Sequence, residues 1–182
     1  MSLEKASFGM GCFWSPEALF GSTKGVKRTK VGYSGGEKDD PDYHHLGRHT
    51  ETVQIEFDPE IISYDELLEI FWGNHDFGEK RKDQYRSVIF FHSESQRKKA
   101  EGSMRENTET DLEPMTVFYD AENYHQKFRL RHSPLADFFD SPEEIKSSEL
   151  AARLNAFAGG KLTKKELDEL IELPAEIAQK LD

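Results

Sequence analysis

The chain has 182 residues, with 24 Lys and Arg against 35 Asp and Glu for a formal charge of -11, and its apolar 36% includes 13 Phe, 6 Tyr and 2 Trp. That is enough chain for one well-buried domain with a terminal appendage and enough aromatic mass for a real core, which excludes a disordered protein. The negative charge repels phosphate backbones and anionic membrane surfaces, which argues against nucleic acid or membrane as partners.

The run Ala6 to Met10 has the apolar character of a buried strand. Gly11 permits a sharp exit, after which Ser15 offers a helix N-cap and Pro16 occupies the favoured first helical position. Val26 to Tyr33 reads as a strand closed by Gly35-Gly36, and a polar loop runs from Glu37 to Thr50. Thr52 to Phe57 alternates polar and apolar residues, as a strand with one buried face does, and ends at Asp58-Pro59. Ser63 and Glu66 form a capping-box pattern ahead of a helical stripe of Leu67, Leu68, Phe71 and Trp72. Ser87 to His92 reads as a central strand, Ser93 to Thr108 as a long charged helix, and Met115 to Tyr119 as the last strand. From Ala121 onward the pattern is helical, with amphipathic segments at Ser141 to Phe157 and Thr163 to Leu181, separated by Gly159-Gly160 and with Pro174 interrupting the second. Spaced leucines predict that this tail packs on the core. The element order predicts an α+β two-layer sandwich, a mixed β-sheet packed by helices in a ferredoxin-like arrangement, plus a C-terminal helical appendage; the division falls between residues 1–135 and 136–182.

Cys12 is the chain's single cysteine, so no intrachain disulfide forms. With no signal-peptide pattern at the N-terminus, this points to a reducing, cytoplasmic location. The thiol is delivered at a strand-to-helix turn, where partial positive charge and free backbone N–H groups bias cysteine toward thiolate. A thiolate attacking an electrophilic atom needs a proton donor for the developing oxyanion and an apolar slot for the substrate. Phe13 and Trp14 can form the slot, Glu51 at the loop–strand junction is the acid candidate, and Tyr43 and Tyr85 are hydroxyl donors. Packing alternatives stand beside each: a small buried hydrophobe, a solvated carboxylate and two core-edge tyrosines. His44, His45 and His49 fall within six residues, yet no HExxH pattern or second cysteine accompanies them, so no metal is expected. Gly32 to Gly36 carries neither a P-loop nor a GxGxxG pattern, and no cofactor is expected.

GCFW at 11–14, VGYSGG at 31–36, PDY at 41–43, HTE at 49–51, FDPEIISYDELLEIFWGNHD at 57–76, QYRS at 84–87 and AENYHQKF at 121–128 resemble peptide methionine sulfoxide reductase, type A, in that family's order. The C-terminal tail lies outside the resemblance. It implies that Cys12 attacks the sulfoxide sulfur of the S epimer, free or in oxidised proteins, and that Phe13 and Trp14 hold the methyl group. Glu51, its pKa raised by burial, protonates the oxygen, and Tyr43 and Tyr85 hydrogen-bond it. The product would be methionine and a sulfenic acid on Cys12. Residues 1–135 would then be the catalytic domain of an oxidative-damage repair enzyme.

The chain departs from the family pattern in two places. A Gly-Asn-Asp-x-Gly-Thr stretch whose aspartate belongs to the site is replaced by Phe77 to Asp83, leaving Asp83 as a candidate substitute, and the Tyr43–Glu51 loop is shortened. No resolving cysteine exists, so an external thiol must reduce the sulfenic acid: thioredoxin, or glutaredoxin with glutathione. The basic run Lys80 to Lys82 is placed to orient an anionic thiol. The competing functions are a noncatalytic module that binds oxidised methionine or a protein partner, and a thiol peroxidase.

Overall fold

β1 (Glu4–Met10) is the spine of the sheet in the computed structural model, which describes residues 2–182. It pairs antiparallel with β3 (Thr50–Phe57) on one side and β4 (Ser87–Phe91) on the other, and β3 pairs antiparallel with β2 (Val26–Ser34). Two short edge strands complete the order β5-β4-β1-β3-β2-β6: β5 (Asp111–Pro114), parallel to β4, and β6 (Tyr119–Asp120), antiparallel to β2. The parallel edge makes the sheet mixed. With α1 (Trp14–Gly21) after β1 and α2 (Tyr64–Gly73) after β3, the chain through β4 runs β-α-β-β-α-β.

The strands bury one face under helices. Ala6, Phe8, Met10, Val53, Ile55, Phe57 and Ile89 meet Leu67, Leu68, Phe71 and Trp72 of α2 in the main core. Phe8 sits at its centre, with ring centroids of Phe20 and Phe71 at 5.6 and 5.1 Å. The α2 stripe is oriented by the expected capping box: the Ser63 hydroxyl accepts from Glu66 N–H and Glu66 Oε2 accepts from Ser63 N–H.

Several expected elements are shorter or broken. The charged helix α3 covers only Glu94–Ser103, because its buried anchors are Gln96 and Ala100 alone. Met115 to Tyr119 is not a strand: β5 ends at Pro114, which cannot continue a ladder, and pairing resumes only at Tyr119. The segment Ser141 to Phe157 splits into α5 (Pro142–Ser147) and α6 (Glu149–Ala158), because the Ser148 hydroxyl accepts from Ala151 N–H and caps a new helix. The last segment divides into α7 (Lys164–Leu170) and α8 (Ala175–Leu181) on either side of Pro174.

A second cluster, with Leu130 of α4 (Phe128–Arg131), Ile145, Leu154, Leu167 and Ile177, holds these helices together behind α1. Gly21 is where α1 and α6 touch, since a Cβ there would lie 2.5 Å from the Ala152 carbonyl oxygen. Arg153, 1% exposed, donates from Nη1 to the carbonyls of Gly21 and Thr23, both at 2.9 Å, and from Nη2 to Val26 O at 2.6 Å. It thereby satisfies carbonyls that the end of α1 leaves without helical partners. The Glu17 carboxylate on α1 and the Lys127 ammonium lie 2.8 Å apart with side chains 1% and 0% exposed. Lys127 also donates to Thr29 O and Lys146 O, so one buried cation ties α1, β2 and α5 together.

Candidate active site around Cys12

The site begins where β1 ends. Gly11 has φ +85, in the left-handed region that favours glycine, and turns the chain so that Cys12 is presented to solvent. α1 starts earlier than expected: Phe13 is the N-cap residue, with no side-chain cap, and Trp14 is the first helical residue. Ser15 therefore does not cap, and Pro16 falls on the third helical position. Proline is tolerated there because the first-turn N–H groups have no helical acceptor.

Glu51 takes over the capping. It lies inside β3, opposite Tyr33 of β2, and is 1% exposed, rather than standing at a loop junction. Its Oε1 accepts the Phe13 N–H at 3.2 Å and its Oε2 accepts Gln84 Nε2–H at 2.6 Å. Burial pushes the carboxyl above its ordinary value of 4.5, outweighing the opposite pulls of Gln84, the Phe13 N–H and Lys82.

The Cys12 thiol is also pushed up, by desolvation first and by the Glu51 charge, against lowering influences from the Trp14 N–H and Arg129. The helix start acts in the expected direction and loses. Desolvation and the neighbouring Glu51 carboxyl outweigh the helix N-terminus, whose influence is modest and local, so the net push on the thiol is upward.

The two tyrosines come from different loops and meet at this point. Tyr85, half-buried, is held well above the usual phenol range by desolvation, then by the Tyr43 hydroxyl, with Glu51 and Cys12 adding to it. Tyr43 is anchored by Glu122, whose Oε2 accepts the Tyr43 N–H at 2.9 Å while Oε1 accepts the Tyr33 hydroxyl at 2.8 Å. Phe13 is 1% exposed and packs with Val31, Tyr33 and Ala121. Trp14 is fixed beside it: its indole N–H donates to His125 Nδ1 at 3.1 Å, and its ring stacks on Phe128 at 3.6 Å with 5° between planes. His125 itself lies within 5.1 Å of the Phe13 ring and 4.9 Å of the Tyr43 ring.

The six residues singled out from the sequence thus come from the β1–α1 turn, α1, β3, the loop before β3 and the 3-10 turn before β4. Asp83 does not join them. Its Oδ2 accepts from Arg48 Nε at 3.2 Å, and its carbonyl accepts the Thr50 hydroxyl at 2.7 Å. Arg86 pairs with Asp111 and Glu113 and donates to the Thr50 hydroxyl. The three clustered histidines disperse: His45 pairs with Asp42, His49 bridges Gly36 N–H and Lys38 O, and His44 lies edge-on to Tyr43. Gln84, Glu122, His125 and Phe128 were not assigned roles from sequence, although they lie inside the QYRS and AENYHQKF blocks, where that signal was available.

Residues 4–152 match the family model for peptide methionine sulfoxide reductase. The chain belongs to this family. A peptide methionine sulfoxide reductase of Drosophila melanogaster is 44% identical over 167 residues, covering 85% of this chain and 68% of the relative. The MsrA of Methanothermobacter thermautotrophicus is 42% identical over 144 residues, covering 69% and 85%. Among solved structures, reduced Mxr1 from Saccharomyces cerevisiae superposes with a TM-score of 0.67 at 30% identity, over 72% of this chain and 86% of that one. Methionine sulfoxide reductase A of Corynebacterium diphtheriae gives 0.62 at 30% identity, over 73% and 76%. This peptide methionine sulfoxide reductase is therefore a type A oxidoreductase that reduces methionine sulfoxide at the expense of a thiol. The reading as a noncatalytic module is not favoured. Among the described residues no helix is long and apolar enough to cross a membrane.

Proposed function

We propose that Cys12 carries the reduction, that the S epimer is the substrate, and that Glu51 handles the protons. The observation that supports this assignment best is the buried Glu51 carboxyl, raised in pKa and bonded to the N–H of the residue after Cys12. A neutral acid holds a proton it can deliver near neutral pH. The Cys12 sulfur attacks the sulfoxide sulfur, Glu51 passes its proton to the sulfoxide oxygen, and the Cys12 proton returns to Glu51. The oxygen ends on Cys12 as a sulfenic acid, methionine leaves, and Glu51 is neutral again. Tyr43 and Tyr85 donate hydrogen bonds to the oxygen, and Phe13 and Trp14 seat the methyl group. Residues 1–135 carry all of these groups, and residues 136–182 form the extension packed behind α1.

With no second cysteine, the sulfenic acid is reset by an external thiol. Mxr1 has been solved in complex with Trx2, a structure matching this chain with a TM-score of 0.54 at 26% identity, and by that likeness thioredoxin is one reductant for this protein. Glutaredoxin with glutathione is another, and the cytoplasm supplies both.

A methionine sulfoxide peptide resolved into its two epimers tests the assignment. With dithiothreitol, the S epimer is consumed and the R epimer is not. One turnover without reductant leaves an oxygen adduct on Cys12 by mass spectrometry. Steady turnover by Cys12→Ser, or an adduct elsewhere, overturns it.

A further inference from the structure

Cys12 also lines a cavity to which none of Phe13, Trp14, Tyr43, Glu51 or Tyr85 contributes. The cavity holds about 90 Å³, and Cys12 shares its lining with Met10, Ser15, Leu19, Asn74 and Lys161. The volume suits a thiol and its methylene rather than a whole peptide, so anything larger must lie across the rim. Met10 and Leu19 supply the apolar wall that a CH₂–SH group prefers. Asn74 gives its Nδ2 to Ile70 O at 2.7 Å, which leaves its Oδ1 as a free acceptor.

One cation, Lys161, lines the cavity although the chain carries a net charge of -11. Lys161 follows α6, held at its backbone by an N–H bond to Ala156 O at 2.9 Å, and among the described residues its ammonium has no carboxylate within salt-bridge distance. Arg129 is close enough to act on the Cys12 charge, and its side chain runs beside Gly159 just ahead of Lys161. On the far side of the turn, Arg81 Nη1 lies 2.9 Å from where a Cβ on Gly11 would stand. Arg81 pairs with Glu79 at 3.9 Å and lines a neighbouring cleft rather than this cavity, while Lys82 lies over the Tyr85 ring, so Lys161 is the cation of the rim. Lys161 lies outside the stretch 4–152 that the family model matches.

We propose that this cavity is the seat of the reductant, that it takes a low-molecular-weight thiol bearing carboxylates, and that Lys161 positions that thiol by pairing with a carboxylate. The inference rests on the assignment of Cys12 as the group left as a sulfenic acid. The thiol sulfur, entering between Leu19 and Asn74, attacks the Cys12 sulfur. The S–O bond breaks, an S–S bond forms, and hydroxide leaves as water with the thiol proton. A second molecule of the same thiol attacks the mixed disulfide, releasing Cys12 as a thiol and the small disulfide as product. Two thiols are oxidised for each sulfoxide reduced. The arrangement lets reductant approach while the aromatic slot is still occupied by methionine.

Steady-state turnover of a methionine-S-sulfoxide peptide with glutathione or uncharged dithiothreitol tests the site in Lys161→Glu, Lys161→Met and Lys161→Arg. Lys161 is exposed with its backbone bond independent of the side chain, so these variants keep the fold. Lys161→Glu should raise the half-saturating glutathione about fivefold relative to that for dithiothreitol, and Lys161→Arg should restore it. Cysteamine, cationic where glutathione is anionic, should move the opposite way. A glutathione value unmoved by Lys161→Glu, an equal rise for dithiothreitol, or wild-type turnover that dithiothreitol supports and glutathione does not, overturns the proposal. Failure of the wild type to reduce sulfoxide in a single turnover overturns the Cys12 assignment itself and is read separately.

Discussion

The Phe13 N–H and the Glu51 carboxyl meet at 3.2 Å, joining the N-cap residue of α1, next to the thiol, to the start of a buried strand. The bond fixes the acid against the nucleophile through the backbone rather than through a mobile side chain. It also fills the N-cap role that no side chain of α1 performs.

Replacing the acid while keeping its shape separates proton transfer from capping. Glu51→Gln retains an oxygen for the Phe13 N–H and removes the proton donor. We expect the rate of the first turnover to fall by about 10²- to 10⁴-fold, the range usual for a lost general acid. Rapid-quench measurement of methionine released without reductant reads this directly; a rate within a few-fold of wild type would contradict the role.

The same substitution removes a negative charge that raises the Cys12 pKa. The pH midpoint for alkylation of Cys12 by iodoacetamide should therefore move down in Glu51→Gln. A midpoint that stays put or moves up would show that Glu51 does not act on the thiol.

Stability should carry the sign of the raised Glu51 carboxyl. The native protein holds this proton over a range where the unfolded chain has released it. That contribution is complete below the ordinary value of 4.5 and is lost as pH rises through the native value. Relative to wild type, Glu51→Gln should thus gain stability as pH increases from 4.5, levelling off above the native value. Urea unfolding across that range measures the gap, and a gap that shrinks is the contrary result.

His125 holds Trp14 by accepting its indole N–H at 3.1 Å. His125→Phe fills the volume and strands that N–H, which costs about 1–3 kcal/mol of stability. Because Trp14 is then free to turn, the KM for the sulfoxide should rise more than kcat falls. Thermal unfolding with steady-state kinetics checks both, and an unchanged KM would remove His125 from the positioning of the slot.

The Glu17–Lys127 pair is a structural element of the helix that carries Cys12. Lys127→Met leaves Glu17 charged and buried, a loss of about 3–5 kcal/mol, whereas adding Glu17→Gln should recover part of it. Chemical unfolding of the single and double variants distinguishes this from simple loss of packing, in which the second change would only add to the damage.

Much of the chain was legible because its elements are locally determined. α2 begins at a self-contained capping box, and the polar–apolar alternation of Thr52 to Phe57 located β3, although seven of its eight residues are buried rather than one face alone. Local signals failed where a distant partner decides. Ser15 and Pro16 look like a helix start, yet Glu51, 38 residues away, takes the first free N–H and sets the start at Trp14. Met115 to Tyr119 has strand composition, but Pro114 breaks the ladder.

Taken by themselves, the residues supplied the family resemblance and the side chains we propose for the chemistry: a lone cysteine in GCFW, an acid in HTE and two tyrosines. These follow from residue identity and order, which folding does not alter. The tertiary structure alone decided the direction in which the site's acid and thiol are pushed and what surrounds them. The Cys12 thiol is pushed up rather than down, Asp83 turns to Arg48, and Lys161 arrives beside Cys12 from the far end of the chain. Desolvation and charge depend on what packs within a few ångströms, and that is set by contacts between residues the sequence keeps far apart.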